Sequence, residues 1–166
     1  MQRESKINLT ILLTSFFAAI VLFFLIDLFT LKYRGEGHGI SGNGNFGLLF
    51  VYPAIPVYLF MLVFVYKISR SYYRNRNNIT ILPVIILLLL FLCVYGEYNL
   101  VQSLFRHLKR GEFPPDVFTF PWPFYQYTNT LYFNYFTFTI GVLLTLLISF
   151  CVEIFRRRKL NRTQQL

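Results

Sequence analysis

Charge is scarce in this chain. Asp, Glu, Lys and Arg make up 14% of its 166 residues, and only seven of them are acidic. A soluble domain of this length needs a polar shell that such a composition does not supply. Cysteine and histidine are nearly missing, with two of each. Cys93 and Cys151 stand in separate apolar runs, outside any CxxC pair and without a His at ligand spacing. They read as small apolar packing residues, and neither a disulfide framework nor a metal site is readable. HExxH, Walker-type and Ser-His-Asp patterns are also missing. Catalysis would therefore rest on isolated acids and His107, which favours a non-catalytic role with no cofactor.

What the chain has instead is apolar length. Hydrophobic residues reach 55% and aromatics 20%, led by twenty Phe and twelve Tyr. The stretch from Tyr135 to Val152 carries no charge and stops at Glu153 and the basic run Arg156 to Lys159. Roughly 20 apolar residues, at about 1.5 Å each in a helix, match a hydrocarbon core of about 30 Å. Comparable runs occur three more times. The expected architecture is an all-α integral membrane protein with four transmembrane helices in one bundle, all in a single membrane domain. The spans fall at about 7–31, 46–67, 79–98 and 133–155. The first run is too long for the core of a signal peptide and lacks a small-x-small site, so it reads as an uncleaved span.

Orientation follows from Lys and Arg. With both termini cytoplasmic, eleven basic residues fall inside, at Arg3, Lys6, Lys67, Arg70, Arg74, Arg76 and in the tail 156–166; five fall outside (Lys32, Arg34, Arg106, Lys109, Arg110). That bias, in short loops, is the positive-inside pattern. Loop 68–78 is then inner, and loops 32–45 and 99–132 are outer. The expected location is the plasma membrane, of bacterial type. Topology and anionic headgroups account for the net charge of +9, so nucleic acid is not an expected partner.

Between the spans the chain changes character. Gly35, Gly37, Gly39, Gly42 and Gly44 make the first outer loop a flexible connector. Pro53 and Pro56 interrupt the second span and free the carbonyls of Leu49 and Tyr52, which predicts a kink facing the bundle interior. Leu100, Val101, Leu104, Phe105 and Leu108 recur at helical spacing, so an amphipathic helix either continues the third span or bends at Gly96 into the interface. The aromatic, Pro-rich segment from Phe113 to Tyr127 suits the headgroup zone.

Five residues are candidates for function. Asp27 and Glu97 are predicted at similar depth near the outer surface, about 30 Å and 27 Å along their spans, where acids at membrane depth can hold a proton, a cation or a substrate. His107 could join them if the helix folds back. Trp122 and Tyr125 are the aromatic anchors of a surface for a partner. Glu153, three and four residues before Arg156 and Arg157, reads as a structural ion pair. The chain lacks the acid deep in the first span of small multidrug transporters. It also lacks the outer cysteine pairs of quinone-linked thiol oxidases and the paired aspartates of lipoprotein signal peptidases. The expected partners are the lipid bilayer and a membrane or envelope protein or lipid-like ligand. The expected role is that of an accessory, immunity or sensor-type subunit, and the alternative is a small transporter or membrane enzyme using Asp27 and Glu97.

Overall fold

The computed structural model describes residues 2–30, 45–75, 81–110 and 128–163, apart from side chains at 2–5, 104–105, 107–110, 161 and 163. Among these residues there is helix and no strand. The helices are α1 (Gln2–Phe29), α2 (Leu48–Arg74), α3 (Ile81–Arg110), the single turn α4 (Asn129–Tyr132) and α5 (Tyr135–Thr163). Four segments are long and apolar enough to cross a membrane: Lys6–Phe29, Leu48–Arg74, Ile81–Ser103 and Asn129–Leu160. The surface agrees, because large apolar side chains face outward along every long helix; Phe17 is 70% exposed and Leu88 61%. In water so broad an apolar band would aggregate, whereas in a bilayer it is ordinary lipid-facing surface.

The hydroxyls in these helices bond to their own backbone. Thr10 donates to the Lys6 carbonyl at 3.1 Å, Ser15 to Ile11 at 2.8 Å, and Thr139 to Tyr135 at 2.7 Å. Hydrocarbon offers no water, so a hydroxyl there must find an acceptor on its own helix or, as Tyr58 and Ser69 do, on a neighbouring one.

Packing runs as a row. α1 packs on α2, α2 on α5, and α5 on α3. α1 and α2 are antiparallel, with Phe23 beside Tyr58 and Phe29 beside Phe50. α2 and α5 are parallel, since Tyr58 meets Phe138, Ser69 meets Ser149, and Tyr73 meets Arg157. The start of α1 therefore lies at the same end as the ends of α2 and α5. The core sits at the opposite end, in a cluster of Phe23, Ile26, Val51, Ala54 and Phe133.

The structure decides between the two courses open to the segment after Gly96. α3 is one helix through Gly96 to Arg110, so the amphipathic segment continues the third span and does not bend at the glycine. Pro53 and Pro56 both have exposed side chains, while Val51, Ala54 and Met61 form the buried stripe of α2. The helix runs on through both prolines, and Pro56 lines a cavity against Thr10, Thr14 and Ala18 of α1. Span ends also shift, because the helices continue past the apolar runs into their polar flanks: α2 runs on to Arg74 and α5 to Thr163.

Candidate functional site

The residues around Phe133 and Asn134 turn the chain into α5 and shape the main groove. Asn134 caps the helix: its Oδ1 accepts from the Phe136 N–H at 2.7 Å and the Thr137 N–H at 3.0 Å. Its Nδ2 donates back to the Thr130 carbonyl at 2.9 Å, so one carboxamide serves the end of α4 and the start of α5. Next to it Gly96 lets α3 approach. A Cβ at that position would overlap the ring of Phe136. Small residues at such crossings are what lets helices come together in lipid.

α1 and α3 share no extended packing among the described residues, and a groove of about 1080 Å³ separates them, floored by α4 and the start of α5. Its polar lining gathers toward one end. Ile20, Phe23, Phe24, Phe138 and Thr139 line the part nearer mid-span, and Asp27, Asn99, Ser103, Thr130 and Asn134 stand among Leu100, Phe133 and Phe136 nearer the end. One cavity therefore offers both an apolar wall and a polar mouth.

Of the sequence candidates, Asp27 lies in this groove, on the exposed side of α1. Glu97 stands on α3 beside the Asn134 carboxamide, and its Oε2 is shut off from solvent with no hydrogen-bond partner among the described residues. The structure therefore places Asp27 on the groove and Glu97 against one of its lining residues. His107 falls on α3, but its side chain lies outside the described residues, as do Trp122 and Tyr125.

Sequence reasoning missed the asparagines. Asn129 is fully buried and forms a reciprocal amide pair with Asn45, at 2.7 and 3.1 Å. Gly47 leaves room for it, because a Cβ there would collide with Asn129 Nδ2 and come within 3.3 Å of the Thr30 hydroxyl. An Asn directly ahead of an apolar run is a helix-start signal, and this would have singled out Asn134. Nothing local pairs Asn45 with Asn129, which lie 84 residues apart.

At the other end, Glu153 is 4% exposed and within 3.7–3.8 Å of Arg70, Arg156 and Arg157. The expected pairing within α5 is present, and Arg70 of α2 joins it. Arg157 also donates to the Tyr73 and Arg74 carbonyls at the end of α2, where a cation complements the helix dipole.

Comparison with protein-family models, with curated proteins and with solved structures finds no match to this chain.

Proposed function

We propose that this chain is a non-catalytic, multi-pass membrane protein that binds a lipid-like ligand in the groove between α1 and α3. The observation that carries this reading is the lining. An amphiphile with its polar group near Asp27, Asn99 and Asn134, and its chain against Ile20, Phe24 and Phe138, matches the groove's change of character along the membrane normal. The ligand could enter sideways from the bilayer, since α1 and α3 are not packed together there. In the proposed orientation both termini are cytoplasmic in a bacterial-type plasma membrane, and the groove opens toward the outer leaflet. An accessory or sensor-type role, in which a bound amphiphile is presented to a membrane or envelope protein, fits this arrangement.

Purification in gentle detergent tests the reading. The wild-type protein should retain a stoichiometric amphiphile detectable by native mass spectrometry. Asn99→Trp, which fills the groove from its exposed wall, should lose it with helicity unchanged. Retention of the same ligand by the variant overturns the proposal. One observation favours a second reading, the small transporter: the unpartnered Glu97 oxygen lies close to a groove that Asp27 also lines. Asp27→Asn and Glu97→Gln separate the two. Ligand retention should survive both changes in a binding protein, and a transport activity lost in either would favour the transporter.

A further inference from the structure

The basic cluster at the far end of α5 is built differently from a loose run of surface charge. Its centre is the buried carboxylate of Glu153, with three guanidiniums converging on it from two helices. All three approaches, at 3.7–3.8 Å, exceed hydrogen-bond range, so the carboxylate orients the arginines without using up their donors. Arg157 is committed to the α2 carbonyls. Arg70 has one further polar contact among the described residues, the Tyr66 hydroxyl at 3.5 Å, and stacks near that ring. Arg156 has only Glu153 among the described residues. The Arg70 and Arg156 side chains are 39% and 43% exposed, so a ligand can reach both.

Among the described residues, one carboxylate faces three guanidiniums where the apolar spans end, an excess of two positive charges in the cluster. An anion with several acceptor oxygens spaced to receive forked donors complements this excess, and phosphate offers such oxygens in a geometry that guanidinium groups match. We infer that Arg70 and Arg156, braced by Glu153, form a binding site for a phosphate oxyanion where α2 and α5 leave the membrane. Its position points to the headgroup of an anionic phospholipid as the source. This site lies at the opposite end of α5 from the groove and is independent of the ligand proposed there.

The remaining basic residues of α5 supply the control. At 3.6 residues per turn, Arg158 and Arg162 fall roughly 140° and 180° around the helix from Glu153, whereas Arg156 and Arg157 flank it within about 60°. Loss of two charges at 158 and 162 changes the net charge as much as loss at 70 and 156, but leaves the braced pair intact.

The experiment uses the full-length protein in nonionic detergent at constant ionic strength. Binding of short-chain phosphatidylglycerol, short-chain phosphatidylcholine and inorganic phosphate is followed by native mass spectrometry and thermal shift. Phosphatidylglycerol should bind, and Arg70→Gln with Arg156→Gln should weaken it roughly 25-fold, at ~5-fold per basic residue. Arg158→Gln with Arg162→Gln should change it by no more than about two- to threefold, as expected of exposed charges screened beyond a Debye length. Arg70→Lys with Arg156→Lys keeps the charge around Glu153 and guards against simple unfolding; it should bind several-fold more weakly than wild type, since ammonium groups offer no fork. Phosphatidylglycerol binding without inorganic phosphate binding assigns the site to the lipid headgroup, and competition by inorganic phosphate assigns it to the free anion. No binding of either overturns the inference. So does an equal loss in the 158/162 control, or full binding by the lysine pair, because diffuse charge would then suffice.

Discussion

Gly141 is the seat on which Tyr58 docks α2 against α5, and replacing it by Ala should unseat that ring. A Cβ at position 141 would overlap the Tyr58 hydroxyl and lie 3.0 Å from Cζ, where carbon–carbon contacts settle at about 3.5–4.0 Å. The ring must retreat by about 1 Å. That movement breaks the 2.7 Å hydrogen bond from the Tyr58 hydroxyl to the Phe138 carbonyl. It also loosens the packing of Tyr58 on Phe23 and Phe138, whose ring centroids lie 5.4 and 5.2 Å away. A hydrogen bond between membrane helices contributes about 0.6 kcal/mol, and each aromatic pair about 0.5–1.5 kcal/mol. Alanine recovers up to about 1 kcal/mol of helix propensity. The expected net cost of Gly141→Ala is therefore about 1–2 kcal/mol.

A double-mutant cycle isolates the cause. In a Tyr58→Ala background the ring atoms nearest that Cβ are gone, so the same glycine change should be neutral or slightly stabilising. Tyr58→Phe removes only the hydroxyl and should cost less than about 1 kcal/mol. Unfolding by SDS in mixed micelles, followed by aromatic circular dichroism, gives each stability. If Gly141→Ala costs the same in both backgrounds, to within about 0.5 kcal/mol, the glycine is not the seat of Tyr58 and the reasoning fails.

Two further predictions concern the Asn129 corner and the orientation. Asn129→Ala deletes both bonds of the buried amide pair and strands Asn45, so the same unfolding assay should show a loss of about 1–3 kcal/mol; Gly47→Ala should lower stability in the same direction by displacing Asn129, and two unchanged midpoints would discard the lock. Reporter fusions after Arg76 and Leu166 should behave as cytoplasmic and those after Gly44 and Arg110 as extracytoplasmic, and an extracytoplasmic C-terminus would reverse the proposed topology.

The spans could be read from sequence because length without charge is enough to specify a membrane helix. Their packing could not, because lipid is as apolar as a protein interior and an apolar residue does not announce which of the two it faces. Phe23 is core and its neighbour Phe24 is 62% exposed, yet the two are chemically identical. The prolines show the same gap. Their missing donors say that carbonyls are freed, not which face of α2 they occupy, and the buried stripe runs through Val51, Ala54 and Met61, to one side of both prolines. Glu153 was legible as an ion pair within α5 because its partners follow within one turn. Arg70 was not, since only the fold carries it there from 83 residues away. Asp27 stood out as the lone acid of its span, whereas the groove it lines takes residues from α1, α3, α4 and α5 and has no signature in any one of them.

With apolar contacts unable to favour helix over lipid, register between helices must come from the few polar pairs and close approaches. α1, α2 and α5 are well supplied. Asn45–Asn129 joins the start of α2 to α4 at one end, Tyr58–Phe138 holds the middle, Ser69–Ser149 follows at 2.7 Å, and the Glu153 cluster closes the other end. α3 has far less. Its span is the least buried of the four, and its specific ties to α5 among the described residues are Gly96 against Phe136 and Glu97 against Asn134. The groove lies on this same side, between the weakly tied helix and α1. α3 packs along α5 as extensively as α2 does, so what sets it apart is the scarcity of polar ties and not of contact. The polar pairs of the three braced helices fix the Asp27 and Asn134 side of the groove, whereas its α3 wall is set by apolar packing on α5 and by the Gly96 and Glu97 contacts.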